Sequence, residues 1–421
     1  MMTGAQKLTE FVNESPVSFV TIENIAERLT GEGYEEHIPG EGKLLRGGKY
    51  FCRMDSVLAA FRVPECDWDA FVVAGSHCDS PCFKLREEPE LCGQYVRLNC
   101  ERYGSAINMT WFDRPLGIAG MVLIRSGKGI RKKAVNLSRP MAVIPRVSLH
   151  LDRSVNNKYE PDYAKDFIAL FSDAGNKGSY KKAIAQAAGC SPDDIISSDL
   201  FLYNLQKAEV WGPEGEFISG PRMDDLACVY ASLEAFLASG TDSGRMPVFC
   251  VYDNEEIGSH TKNGAASFFL RDLLLEAQEL FYPEKSFSGF LKNSFILSCD
   301  NAHAVQPDNP GLSDYSEAPL LNKGPVLKHS PHYATSSVSG ALFKEICRRA
   351  GIPFQMYSNR PDQPGGSTIG NILSQGLYAD TVDIGIAQLA MHSSYETIGA
   401  KDVDAMISAL KAAYEIRITI E

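Results

Sequence analysis

Short apolar runs closed by side chains able to hold a metal constrain this chain more than any other feature. Runs at 70–75, 247–252, 294–298 and 381–384 are too short for typical helices and rich in Val, Ile and Phe, so each is expected as a buried strand. His77 and Asp79 follow the first run, and Asp253-Asn254-Glu255-Glu256 closes the second. Asp300 closes the third, and His392 follows the fourth. Between the runs, apolar residues recur at helical spacing: Leu226, Val229, Tyr230, Leu233 and Leu237; Val338, Leu342 and Ile346, stopped by Gly351; and Val403, Met406, Ile407, Leu410 and Tyr414. Strands alternating with helices predict an α/β fold, a mixed sheet covered by helices on both faces. Such sheets place ligands beyond the carboxyl ends of their strands.

The first residues are expected to be helical, with Leu8, Phe11 and Val12 on one face. From 88 to 218 the texture changes to short β-like runs, such as 120–124 and 142–145, broken by Gly and Pro. This block reads as a β-rich insertion dividing a discontinuous domain made of 1–87 and 219–421. Within it Ser191-Pro192-Asp193-Asp194 predicts the start of a helix with Ser191 as its N-cap.

A formal charge of -12 argues against nucleic acid or an anionic membrane as partner, since both reward a basic surface. No apolar run approaches the roughly 20 residues that span a bilayer, and the N-terminal residues are polar, without a signal-like apolar core. The eleven cysteines are scattered, several in apolar runs, which fits a reducing compartment and a cytoplasmic protein.

His77, Asp224, Glu256, Asp300 and His392 supply the donor types of a two-metal site. Two metals about 3.5–4 Å apart need a carboxylate that bridges them. Asp224, at the start of a predicted helix, is assigned to that role, with His77 and Asp300 on one metal and Glu256 and His392 on the other. Neighbours in extended chain point to opposite sides, so Glu255 is left free to act as general base toward a water. Asp79, two residues after His77, can orient that imidazole by accepting its other N–H. Taken singly each motif has a bland reading: Asp-Asp before a helix is an N-cap, Glu-Glu is solvated surface, and a lone His is a core residue. Their joint placement at strand ends points instead to metal-assisted hydrolysis.

Two further segments are candidates for substrate contact. Gly365-Gly366-Ser367-Thr368 opens a predicted helix whose free N–H groups can hold an anion, although without the Lys of a P-loop. Lys328-His329-Ser330-Pro331-His332 can meet a carboxylate, and by default is an exposed polar loop.

The motifs Ser76-His77-Cys78-Asp79-Ser80-Pro81-Cys82-Phe83-Lys84, Thr110-Trp111-Phe112-Asp113-Arg114, Leu149-His150-Leu151-Asp152-Arg153, Asp253-Asn254-Glu255-Glu256-Ile257-Gly258-Ser259, Asp300-Asn301-Ala302-His303-Ala304-Val305, Gly366-Ser367-Thr368-Ile369-Gly370 and Gln388-Leu389-Ala390-Met391-His392-Ser393 run through nearly the whole chain. In this order they resemble the M18, or aspartyl aminopeptidase, family. The resemblance implies a di-zinc exopeptidase that removes N-terminal residues from peptides, with a preference for acidic ones, and the same five metal ligands. It implies that Glu255 is the acid/base and Asp79 its supporting carboxylate, and that the inserted block is a dimerisation domain. It further implies a homo-oligomer of dimers forming a dodecamer, in which His150 reaches a neighbouring subunit's site. By local pattern alone His150 reads as a strand residue. Cobalt and manganese also accept such N/O ligands.

The chain departs from the family pattern at Asp225, usually Asn; at Gly104-Ser105-Ala106-Ile107-Asn108-Met109, usually Gly-rich and Trp-bearing; in the segment from Lys328 to Thr335, shorter than the common form; and at Gly365, usually Cys. Two rival functions fit the same donors: another di-metal amidase (a carboxypeptidase or deacylase), or a non-catalytic self-assembling scaffold.

Overall fold

The computed structural model describes residues 2–157, 159–363 and 365–420. A nine-stranded sheet forms its centre, in the order Glu35–Glu36, Lys49–Met54, Val57–Arg62, Met246–Tyr252, Phe71–His77, Phe295–Cys299, Asp380–Gly385, Val326–Lys328, Gln355–Tyr357. The 246–252, 71–77, 295–299 and 380–385 strands are mutually parallel, so their carboxyl ends share one edge. Antiparallel neighbours at 57–62 and 326–328 make the sheet mixed.

Every residue of Phe71–His77 and Met246–Tyr252 is buried, the pattern of parallel strands covered on both sides. Side chains alternate between the two faces. Val72, Ala74, Phe249 and Val251 pack with the helices Met223–Ala238, Ser337–Ala350 and Ala400–Glu415. Phe71, Val73, Val248 and Cys250 pack with Phe269–Phe281 and Ile369–Leu377 on the other face. The first helix, Gly4–Glu14, buries Leu8 and Val12 as expected, and Gly351 ends the 337–350 helix in the left-handed region.

Two smaller sheets flank the centre. A six-stranded one takes Gly129–Ala142, Leu116–Ser126, Ile195–Asn204, Cys82–Cys92, Tyr95–Tyr103 and Ala169–Asp173, in that order. The expected boundary near 87 therefore falls inside one of its strands. A five-stranded sheet joins Glu209–Trp211, Phe217–Gly220, Glu396–Gly399, Ala387–Leu389 and Ala302–His303. The helix expected after Ser191 does not form. Ser191 caps a single turn, Pro192–Asp194, and the chain passes at once into the strand Ile195–Asn204. β-branched Ile195 and Ile196 and pairing with the 116–126 strand outweigh the capping signal.

The eleven cysteines are all unpaired, seven of them buried. Among the described residues, no helix is long and apolar enough to cross a membrane.

Candidate metal centre

The carboxyl ends of the parallel strands converge on two groups of donors. His77, Asp224 and Asp300 form one, and Asp224, Glu256 and His392 the other; within each group the ligand atoms lie within 4.8 Å of one another. Asp224 belongs to both.

Two sheets, the nine-stranded and the five-stranded, deliver these side chains. His77 is the last residue of its central strand, and Asp300 directly follows the strand Phe295–Cys299, its amide bonded to the Ile384 carbonyl at 2.9 Å. The strand Phe217–Gly220 leads into Arg222, at φ 58°, and then Asp224, whose peptide bond to Asp225 is cis. Asp224 and Asp225 are non-helical, so the regular helix begins after them. His392, at φ 66°, sits on the turn between Ala387–Leu389 and Glu396–Gly399. Glu255 and Glu256 lie in a tight turn, Glu255–Ile257, beyond the 246–252 strand.

Both imidazoles have Nδ1 against a backbone carbonyl: His77 against Asp79 at 3.1 Å and His392 against Ser105 at 2.8 Å. Such a contact makes Nδ1–H the donor and leaves Nε2 as a lone pair. Each Nε2 then faces carboxylates, His77 at 3.4 Å from Asp224 Oδ1 and His392 at 3.7 Å from Asp224 Oδ2 and 3.6 Å from Glu256 Oε1. Asp224 Oδ1 is buried without a hydrogen-bond donor among the described residues. A buried set of acceptors facing one another is costly unless a cation lies between them, so these residues fit a metal. The charge balance without one reads the same way. Burial opposes a charged His77, yet Asp224 and Asp79 hold its pKa well above the usual imidazole range. Burial, followed by Asp224, drives Glu256 well above the carboxylate range.

A family model described as Aminopeptidase I zinc metalloprotease (M18) matches residues 11–414. The chain belongs to the M18 family. It is a zinc metallo-aminopeptidase, a hydrolase of the exopeptidase class. A probable M18 family aminopeptidase 2 of Clostridium acetobutylicum is 41% identical over 414 residues, covering 94% of this chain and 95% of the relative. Among solved structures, the Ape4 and Nbr1 complex matches with a TM-score of 0.94 at 29% identity, over 98% of this chain and 85% of that one. The S. cerevisiae mApe1 dodecamer matches with a TM-score of 0.85 at 27% identity, over 97% of this chain and 95% of that one.

In this M18 enzyme Asp79 sits at the hub of the glutamate turn. Its carboxylate accepts the Glu255 and Glu256 amides at 3.1 Å each and the Tyr103 hydroxyl at 2.7 Å, and lies 3.4 Å from His77 Nδ1. The nearer partner of His77 Nδ1 is the Asp79 backbone carbonyl, so the same residue orients the imidazole chiefly through its main chain. Glu255 is half-buried and absent from both donor groups. Burial pushes its carboxyl up to about 7, His77 pulling it down and Asp300, Asp79 and Asp224 adding to the rise.

Lys328 departs from the exposed loop expected for it. It ends the strand Val326–Lys328, is 3% exposed, and sets Nζ 3.3 Å from Asp300 Oδ1. Only His329 and the residues after it form the loop, and His329 itself is exposed. Gly366 and Ser367 are exposed just before the helix Ile369–Leu377. That helix is capped by Thr368, which also donates to Asp383 at 2.5 Å. His150 lies in an exposed turn and not in a strand; after isolated bridges at Val143 and Ile144 the segment has no ladder partner among the described residues.

One buried carboxylate escaped the sequence reading. Glu396, 1% exposed, accepts the amides of Asp224 at 3.1 Å and His392 at 2.7 Å, tying ligands from two segments to one side chain. Its only sequence signal is a place four residues after His392, at the edge of a four-residue strand.

Proposed function

We propose that this aminopeptidase binds two zinc ions per subunit, His77 and Asp300 holding one, Glu256 and His392 the other, and Asp224 bridging them. The observation that carries this reading is the membership of Asp224 in both donor groups. Zinc so bound supplies a Lewis acid for the scissile carbonyl and lowers the pKa of water from 15.7 to about 7. Glu255 takes the proton of the attacking water and gives it to the departing amine as the C–N bond breaks. Asp79 supports it by holding its backbone amide. The same N/O donors would accept cobalt or manganese.

Substrates are peptides with a free N-terminus, acidic N-terminal residues preferred. Lys328, a buried positive charge beside Asp300, and His329 supply the cationic side of that recognition. Gly366 and Ser367, at the opening of the 369–377 helix, supply the backbone side. The block 88–218 is assigned to dimerisation, and dimers to a dodecamer like that of the yeast relative. His150 is assigned to a neighbouring subunit's site. Its flanking residues Leu149 and Leu151 are 51% and 84% exposed, which suits a loop that packs on another chain. The polyanionic partners, nucleic acid and anionic membrane, have no place in this reading of a chain with net charge -12, and the compartment is the cytoplasm.

Chelation tests the core of it. Metal-stripped protein should be inactive, should take up two equivalents of zinc per chain in a calorimetric titration, and should regain full activity only as the second binds. Saturation at one equivalent with full activity would reject the shared site.

A further inference from the structure

Residues at the exit of the strand Tyr95–Tyr103, part of the six-stranded sheet, touch both halves of the metal centre. On one side the Tyr103 hydroxyl donates to Asp79 at 2.7 Å and accepts from Asn254 Nδ2 at 3.0 Å. Asp79 in turn fixes the amides of Glu255 and Glu256. Gly104 follows at φ +69°, and a Cβ there would lie 3.1 Å from Glu256 Cβ and 3.3 Å from the Pro81 Cα. On the other side the Ser105 carbonyl accepts His392 Nδ1–H at 2.8 Å, and the Ile107 amide donates to the His392 carbonyl at 2.8 Å.

These contacts divide by origin in a way that decides their meaning. The residues being held come from the nine-stranded and five-stranded sheets. The groups holding them come from five consecutive residues, the last of the strand Tyr95–Tyr103 in the third sheet and the four that follow it. Tyr103 is 8% exposed, so its bond to a buried carboxylate is charge-assisted and shielded from water. Gly104 combines a left-handed φ with a close approach to the Glu256 segment, so a side chain there is strained and crowds that segment. The Ser105 carbonyl selects the His392 tautomer whose Nε2 faces Asp224 and Glu256.

We propose that Tyr103–Ile107 is a clamp through which the inserted sheet sets the zinc affinity of the site, with Tyr103 as a positioning residue for Glu256 and the Ser105 carbonyl for His392. The clamp rests on the ligand assignment made above. It gives the inserted block a role inside the subunit's own metal centre, beside any role in assembly, and provides a path by which strain on that block reaches the ligands.

Tyr103→Phe and Gly104→Ala test it in the full-length protein, with zinc affinity measured by competition against a chromophoric chelator and kcat and KM measured alongside. Loss of an outer partner of a ligand typically weakens metal binding about 10–100-fold, and that loss is expected in both variants, with kcat restored by excess zinc. Two controls separate clamp from fold. Tyr203→Phe removes a comparable hydroxyl bond, to Asn136 at 2.7 Å, from the same sheet. Gly127→Ala imposes a Cβ at φ +55° with nothing within 4 Å. Both should bind zinc as the wild type does. His392→Ala reads the underlying assignment: wild-type zinc affinity there would overturn the ligand set itself. Loss in His392→Ala together with wild-type affinity in Tyr103→Phe and Gly104→Ala would overturn the clamp alone. If Tyr103→Phe does not fold, Gly104→Ala against Gly127→Ala decides the same question.

Discussion

Glu255→Gln should lower kcat about 10²–10⁴-fold, the usual contribution of a general acid–base, while zinc content stays at the wild-type level. The turn makes the two adjacent glutamates unequal. Glu256 Oε1 faces His392 at 3.6 Å inside a donor group, whereas Glu255 belongs to neither group. The turn is held through backbone amides by Asp79, not through the Glu255 side chain. A glutamine of equal size therefore leaves the ligands where they are and removes only the proton acceptor. Steady-state kinetics on an aminoacyl substrate, paired with elemental analysis of the same sample, checks both halves. Activity within a few-fold of wild type would remove Glu255 from the chemistry, and a parallel loss of zinc would make it a ligand instead.

Asp224→Ala should empty both metal positions, whereas His77→Ala or Glu256→Ala should empty one. The difference follows from geometry: Asp224 Oδ1 faces His77 and Asp224 Oδ2 faces His392, one oxygen toward each half. The variant also leaves the amide that Glu396 accepts untouched, so the backbone at 224 remains anchored. Zinc per chain, measured after dialysis against a weak chelator, separates the cases. Equal zinc loss in Asp224→Ala and His77→Ala would contradict a bridging role, and hydrolysis should fall to background in the former.

Much of the framework was legible because its signals are local. A run such as Val72-Val73-Ala74 buried on both faces must be apolar throughout, and a helix such as Ala400–Glu415 must repeat its apolar face. Polar residues closing such runs stand out, as His77, Asp300 and the 253–256 turn do. What stayed hidden depends on partners far away in the chain. The Ser105 carbonyl that orients His392 is 287 positions from it, and Glu396 reaches Asp224 across 172. Lys328 looked like the first residue of a polar loop because its partner, Asp300, is contributed by another element. The capping signal at Ser191 was real but local, and a strand pairing decided the segment that follows.

The most direct test is anomalous diffraction at the zinc absorption edge from crystals of the zinc-loaded enzyme. The expected map has two peaks about 3.5–4 Å apart, the spacing of two-metal hydrolytic sites, one among His77, Asp224 and Asp300 and the other among Asp224, Glu256 and His392. A single peak, or a pair that does not share Asp224, would contradict it.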